Sequence, residues 1–269
     1  MVSKVLGFIR MKIERRARWD KLWKPVDWLL QKIEAVYWRG RGYTIIECFG
    51  DSHVKVFRRL NFMFPALKYR FRTVSVRGAT AYSLNKLDSS TGARRIFDQR
   101  LKTMHSNHQI LLMFGEIDAG HLIWLISKEQ KLKIEDVLNK TILNYRSYIV
   151  HLLGMKRKVI VCSAPLPTIA DDDEIPEYMH QRKEIDVSQA DRTLLTLRLN
   201  EMMQAECMSL EVEYLNLDAF SLDETTRLCK KELVNEKQLD HHYDEINYTH
   251  LIHMQWVAQQ RDIQGAHCG

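Results

Sequence analysis

The residues with the clearest capacity for chemistry lie in Cys48-Phe49-Gly50-Asp51-Ser52-His53, directly after the apolar, β-prone run from Tyr43 to Phe49. A serine placed where a strand hands over to a helix can serve as a nucleophile. Free backbone N–H groups at the helix start face the negative charge that develops on an attacked carbonyl. Val54, Val56, Phe57, Leu60 and Phe64 can share one helical face, so Ser52 is expected at a helix N-terminus. Gly-Asp-Ser is equally ordinary turn chemistry, with Gly for unusual backbone angles and Asp or Ser for capping. What surrounds the turn must decide between the two.

Positioning such a serine requires a sheet. Strand-like runs recur at Tyr43 to Phe49, Tyr69 to Val76, Gln109 to Phe114, Lys158 to Ser163 and Val212 to Leu217. Helical patterns separate them, most clearly Ile134 to Leu153, which Gly154 is expected to close, and Ala190 to Met208, with Leu194, Leu195, Leu197, Leu199, Met202 and Met203 on its apolar side. Strands alternating with helices of this length predict a parallel sheet covered on both faces, with ligands at the carboxyl ends of the strands. Each of those ends carries polar groups: Gly50-Asp51-Ser52, then Arg77-Gly78-Ala79-Thr80, Gly115-Glu116-Ile117-Asp118 and Ser163-Ala164-Pro165, with Asp240-His241-His242-Tyr243 near the C-terminus. Thr168 to Ile185, which includes Asp171-Asp172-Asp173-Glu174, reads as a long acidic surface loop that could serve as an active-site flap.

This order of blocks resembles the SGNH or GDSL hydrolase superfamily over about residues 43 to 260. The resemblance implies a three-layer α/β/α, flavodoxin-like domain with a central parallel sheet. It also implies a serine-dependent ester hydrolase or O-acyltransferase that needs neither cofactor nor metal. Carried over, Ser52 is the nucleophile, the N–H groups of Ser52 and Gly78 form the oxyanion hole, His242 is the general base and Asp240 orients it. Asp51, Glu116, Asp118 and His241 are supporting candidates, with Asp118 expected to tie loops together and Glu116 to cap a helix. His241 and His250 stay open as alternative bases, and Asp244 as an alternative orienting acid.

Two departures stand out. Ile117 occupies the third-block position where the superfamily has an Asn that donates to the oxyanion, and the loss of one such donor typically costs about 10²- to 10³-fold in rate. His121 or Arg77 could substitute. Asp240 and His242 are separated by one residue where the pattern has two. Phe114 to Asp118 also resemble a Phe-Gly-Glu-Ile-Asp subgroup associated with polysaccharide biosynthesis. That partial likeness points to a small acyl group, O-acetyl on a carbohydrate, as substrate. The departures motivate a competing reading, a non-catalytic binding or scaffold protein in glycan assembly.

The late histidines admit a rival reading as a metal site, from His241, His242, His250 and His253 with Asp240 and Asp244, but such spacings arise easily among eleven histidines. His53 is expected at the surface of a helix start and His121 in the core or a pocket wall. Five scattered cysteines without a CxxC pair support neither disulfides nor a zinc knuckle.

The net charge of +6 is concentrated in residues 1–41, which hold eleven Lys and Arg against four acids. Trp19, Trp23, Trp28 and Trp38 interleave with these charges. The segment is expected to be a basic amphipathic helical extension preceding the domain of residues 42–269 and packing its aromatics on it. Alternatively it rests on an anionic membrane surface or a polyanion. No specific nucleic-acid motif accompanies the charge. No apolar run approaches the roughly 20 residues of a membrane-spanning helix, and no secretory signal is evident. A cytoplasmic protein, peripheral at the membrane if the extension binds there, is the default expectation.

Overall fold

The computed structural model of the chain describes residues 33–173, 185–235 and 241–266. Most of the basic extension, part of the acidic loop and Asp240 lie outside them. Five strands, β1 (Thr44–Gly50), β2 (Tyr69–Ser75), β3 (Gln109–Met113), β4 (Val159–Cys162) and β5 (Glu213–Leu215), form one sheet of order β2-β1-β3-β4-β5. All four pairings are parallel. This is the doubly wound, flavodoxin-like arrangement, whose chain reverses direction across the sheet between β1 and β3.

Alternation along the strands divides the core in two. Phe49, Ile110, Leu112, Val159 and Val161 face one side. There they meet the helices α2 (Ala93–Thr103), α3 (Ile123–Gln130), α4 (Ile134–Gly154) and α5 (Gln189–Ser209). Ile46, Cys48, Leu111, Met113, Ile160 and Cys162 face the other. These are covered by α1 (Phe57–Met63) and α7 (Glu245–Ala266), the latter through Tyr248, Leu251, Ile252 and Trp256. A short α6 (Asp218–Ser221) follows β5. β1, β3 and β4 are buried almost throughout and read as largely apolar runs, whereas the edge strands β2 and β5 are partly exposed and carry charged residues.

Several local expectations are corrected. Gly154 is the last residue of α4, and the left-handed backbone beyond the helix falls on Lys156 at φ 56°. Leu194 on α5 is exposed, whereas Leu195, Leu199 and Met203 are buried. The helical face expected after Ser52 is built in two pieces, a 3₁₀ turn (His53–Val56) and then α1. At the amino end of β1, residues 33–40 are helical and bury Ala35 and Trp38 against Ile45.

Candidate active site

The β1 exit is shaped by its glycine. A Cβ on Gly50 would stand 2.4 Å from the Met113 carbonyl oxygen and 2.9 Å from the Val54 Cβ, so only glycine lets the chain turn there against β3. Gly115, at the β3 exit, has φ +123°, and a Cβ on it would meet Ala164 and Leu199 at 2.9 Å. The two exits flank the β1/β3 switch point, where ligands of open α/β sheets bind.

Ser52 begins the 3₁₀ turn, half-buried, with its side chain making no cap hydrogen bond. Asp51 beside it is buried. Its Oδ1 accepts the backbone N–H of His53 at 2.8 Å and lies 3.0 Å from that residue's Nδ1. Ser75 Oγ donates to the Asp51 carbonyl at 2.8 Å, which ties the β1 exit to the end of β2. Gly78 follows on the β2 exit, and Val76 N–H donates to the Gly50 carbonyl.

His53 is not a surface residue. It is 5% exposed, because the segment from His241 to Tyr243 folds over it. Its ring centroid stands 4.6 Å from His242 and 5.4 Å from His241, whose own rings are 4.1 Å apart. That segment is held by three contacts: Thr168 Oγ1 donates to the His241 carbonyl, Leu166 N–H donates to the buried Tyr243 hydroxyl at 2.7 Å, and Tyr243 pairs with Val234 in a β-bridge. Ser52, His53, His242, Tyr243 and Tyr248, with the charged Lys55 and Glu245, line a cavity of about 150 Å³. A cavity of this volume suits a small acyl group.

Asp118 is fully buried, and its two carboxylate oxygens accept the N–H groups of Ala81 and Tyr82 at 2.8 and 2.9 Å, fastening the β2 exit to the β3 exit. Burial pushes its pKa up to about 7 against the pull of those two bonds, and the charge of Asp51 adds to the rise. It sits at the start of a π-helical turn, Asp118–Leu122, a departure from regular helix that recurs at functional sites. Glu116 is also buried, in a trio with Asp51 and His53 whose ligand atoms lie within 4.8 Å of one another, so it joins the cluster under Ser52. Ile117 is half-buried beside it.

The other sequence candidates are placed elsewhere. Asp244 Oδ1 accepts the N–H groups of Ile246 and Asn247 and caps α7, which explains it without a role as orienting acid. His250 and His253 lie on α7 around Phe64, with centroids at 5.3 and 3.6 Å, so the four histidines of the rival metal reading divide. His121 is buried, in line with a core or wall position. The residue that sequence reasoning missed is His53, and the only signal for it was its place next to the serine.

Neither a family model nor a curated protein matches the sequence. Solved structures do match. A Streptococcus pneumonia protein designated a platelet activating factor superposes with a TM-score of 0.54 at 15% identity, over 90% of this chain and 99% of that one. A Bacteroides fragilis protein assigned as an acylhydrolase gives 0.52 at 13%, over 82% and 88%. A GDSL-like lipase from Bacteroides thetaiotaomicron gives 0.50 at 14%, over 87% and 97%. With its five-stranded parallel sheet between two helical layers and a Gly-Asp-Ser turn at the switch point, the chain has the fold of the SGNH/GDSL hydrolases.

Proposed function

We propose that the chain is a serine-dependent ester hydrolase or O-acyltransferase that acts on a small acyl ester, O-acetyl on a carbohydrate, through an acyl-Ser52 intermediate. The observation that carries this reading is that Ser52 and the His242 imidazole line one small cavity at the carboxyl edge of the sheet. Ser52 Oγ attacks the carbonyl carbon while His242 takes its proton, and the N–H groups of Ser52 and Gly78 receive the oxyanion. His242 then returns the proton to the leaving alcohol. Water or a sugar hydroxyl resolves the acyl-enzyme by the same steps in reverse. Asp240, beyond the described residues, keeps its proposed orienting role, and the buried Asp51–His53 pair packs directly behind His242. The carbohydrate assignment is supported by the Phe114 to Asp118 resemblance, and the size of the acyl group by the cavity volume.

Fluorophosphonate labelling of wild type and Ser52→Ala, alongside hydrolysis of an acetyl ester, tests the reading. Labelling and turnover are expected in wild type only. Absence of both in folded wild type favours the second reading, a glycan-binding scaffold, which Ile117 motivates. For residues 1–41 we propose contact with an anionic membrane surface or polyanion that holds the protein at the cytoplasmic face. Among the described residues no helix is long and apolar enough to cross a membrane. Co-sedimentation with anionic liposomes should drop when residues 1–41 are removed, and equal binding by both forms sinks the proposal.

A further inference from the structure

We infer that His53, His241 and His242 form a binding site for a divalent transition-metal ion of the zinc class, and that this ion competes with the ester for His242. The ligand atoms of the three imidazoles all lie within 4.8 Å of one another. A tetrahedral zinc ion with Zn–N bonds of about 2.0–2.1 Å draws its nitrogens to ~3.4 Å apart, so side-chain rotation of about an ångström closes the site. His241 and His242, the two that would move, are both half-buried.

One of the three is already set for coordination. The Asp51 carboxylate lies against His53 Nδ1 at 3.0 Å, and a carboxylate there holds the proton on Nδ1 and leaves the lone pair on Nε2. Asp51 Oδ1 also takes the His53 backbone N–H, which locks the carboxylate in place. Carboxylate, imidazole and ion in series is the usual outer-shell arrangement of histidine metal sites. The other two ligands are consecutive in the chain, and their backbone is pinned by Thr168 and by Tyr243.

Donor type selects the ion. Three imidazoles suit Zn²⁺, Co²⁺, Ni²⁺ or Cu²⁺ rather than Mg²⁺ or Ca²⁺, which take oxygen ligands. The four described cysteines are buried and outside the trio, so thiolate contributes nothing. Three protein ligands leave a fourth position for water, and His53 and His242 share their cavity with Ser52. Coordination occupies the His242 lone pair that would accept the serine proton. An ion at this site therefore switches the base off. The binding claim stands on the cluster alone, and the competition rests on His242 being the base.

The test uses the full chain, stripped with a chelator and desalted, titrated with Co²⁺ by visible absorption and with Zn²⁺ by calorimetry. One ion per chain is expected, with a Zn²⁺-dependent rise in melting temperature. Weaker than stoichiometric binding to folded wild type overturns the site without recourse to any variant. His241→Ala, a half-buried position, should weaken Co²⁺ binding by at least ~100-fold, and Asp51→Asn by about 10- to 100-fold. A His250→Ala/His253→Ala double variant should bind like wild type. Unchanged binding in His241→Ala, or loss in the double variant, overturns the assignment. Zn²⁺ should inhibit acetyl-ester hydrolysis over the concentration range in which it binds, and chelator should restore it. Hydrolysis that continues at saturating Zn²⁺ overturns the competition, whereas stoichiometric binding to a chain that never hydrolyses esters upholds the site and sinks the esterase reading.

Discussion

β1 carries one polar cluster at its middle and another just past its carboxyl end, and they are built on opposite plans. At the middle of the strand, Glu47 is wholly buried. It receives Arg72 Nη1 at 2.8 Å and Arg100 Nη2 at 2.9 Å, with His108 Nδ1 at 3.0 Å. Burial would raise its pKa, but the His108 bond and the two guanidinium charges outweigh that and hold it below the ordinary carboxylate value. Past the carboxyl end, buried Asp51 holds His53, which packs on His241 and His242, and Ser52, His53 and His242 line a cavity. The first cluster closes two guanidinium groups and an imidazole around one carboxylate. The second keeps imidazoles and a hydroxyl half-accessible, and a buried carboxyl on the adjoining exit, Asp118, is pushed up rather than down. The two clusters thus set a buried carboxylate held ionised by cations against a group of half-accessible polar side chains beside a carboxyl whose pKa burial raises.

The sharpest break in this comparison is Ser52→Ala. It should lower ester hydrolysis by roughly 10⁴-fold or more and leave the melting temperature unchanged, read by paired kinetics and thermal melts. Glu47→Gln should do the reverse. Removing its charge leaves Arg72 and Arg100 buried without their carboxylate, for a loss of about 3–5 kcal/mol in urea unfolding, with activity per folded molecule retained. If that variant lost activity and kept its stability, the division between the two clusters would fail.

A smaller effect is expected from Ile117→Asn. Restoring an oxyanion donor should raise kcat by up to ~10²-fold with little change in KM, and no change would mean that another group already donates there. The smallest effect is in pH. Glu47 has a folded pKa below its ordinary 4.5, so its stabilisation is present above that value and is lost as pH falls. Asp118 works in the opposite sense. Its folded pKa of about 7 against an ordinary 3.8 means that its contribution is full at low pH and is lost as pH rises through that window. Urea midpoints of Asp118→Asn minus wild type should therefore climb between those two values and level off above them, and a flat difference would refute the raised pKa.

How much of this was legible in the sequence varied with the range of the interaction. The Gly50-Asp51-Ser52 turn and the apolar runs of the strands are local signals, and they hold in the structure to within a residue or two. Asp118 was expected to tie loops together, but which loop it would hold was not legible, because its bonds to Ala81 and Tyr82 join the exits of strands that are neighbours of β1 and far apart in the chain. Asp244 looked like chemistry and is a helix cap, since a carboxylate just before a helix has the same sequence signature in either role. His53 looked like a surface residue because what buries it comes from the far end of the chain.

By itself the sequence determined the layers and the place of the serine: alternation and apolar runs choose which residues enter a sheet, and a glycine is needed where Gly50 passes Met113. Only the tertiary structure decided which histidines meet that serine's surroundings. His241 and His242 reach His53 while His250 and His253 turn to Phe64, although all four lie within a short stretch of chain. The physical reason is that the backbone bonds and the Tyr243 hydroxyl anchor the first pair before α7 begins, whereas helical periodicity carries the second pair onto the face that packs against α1 and its end.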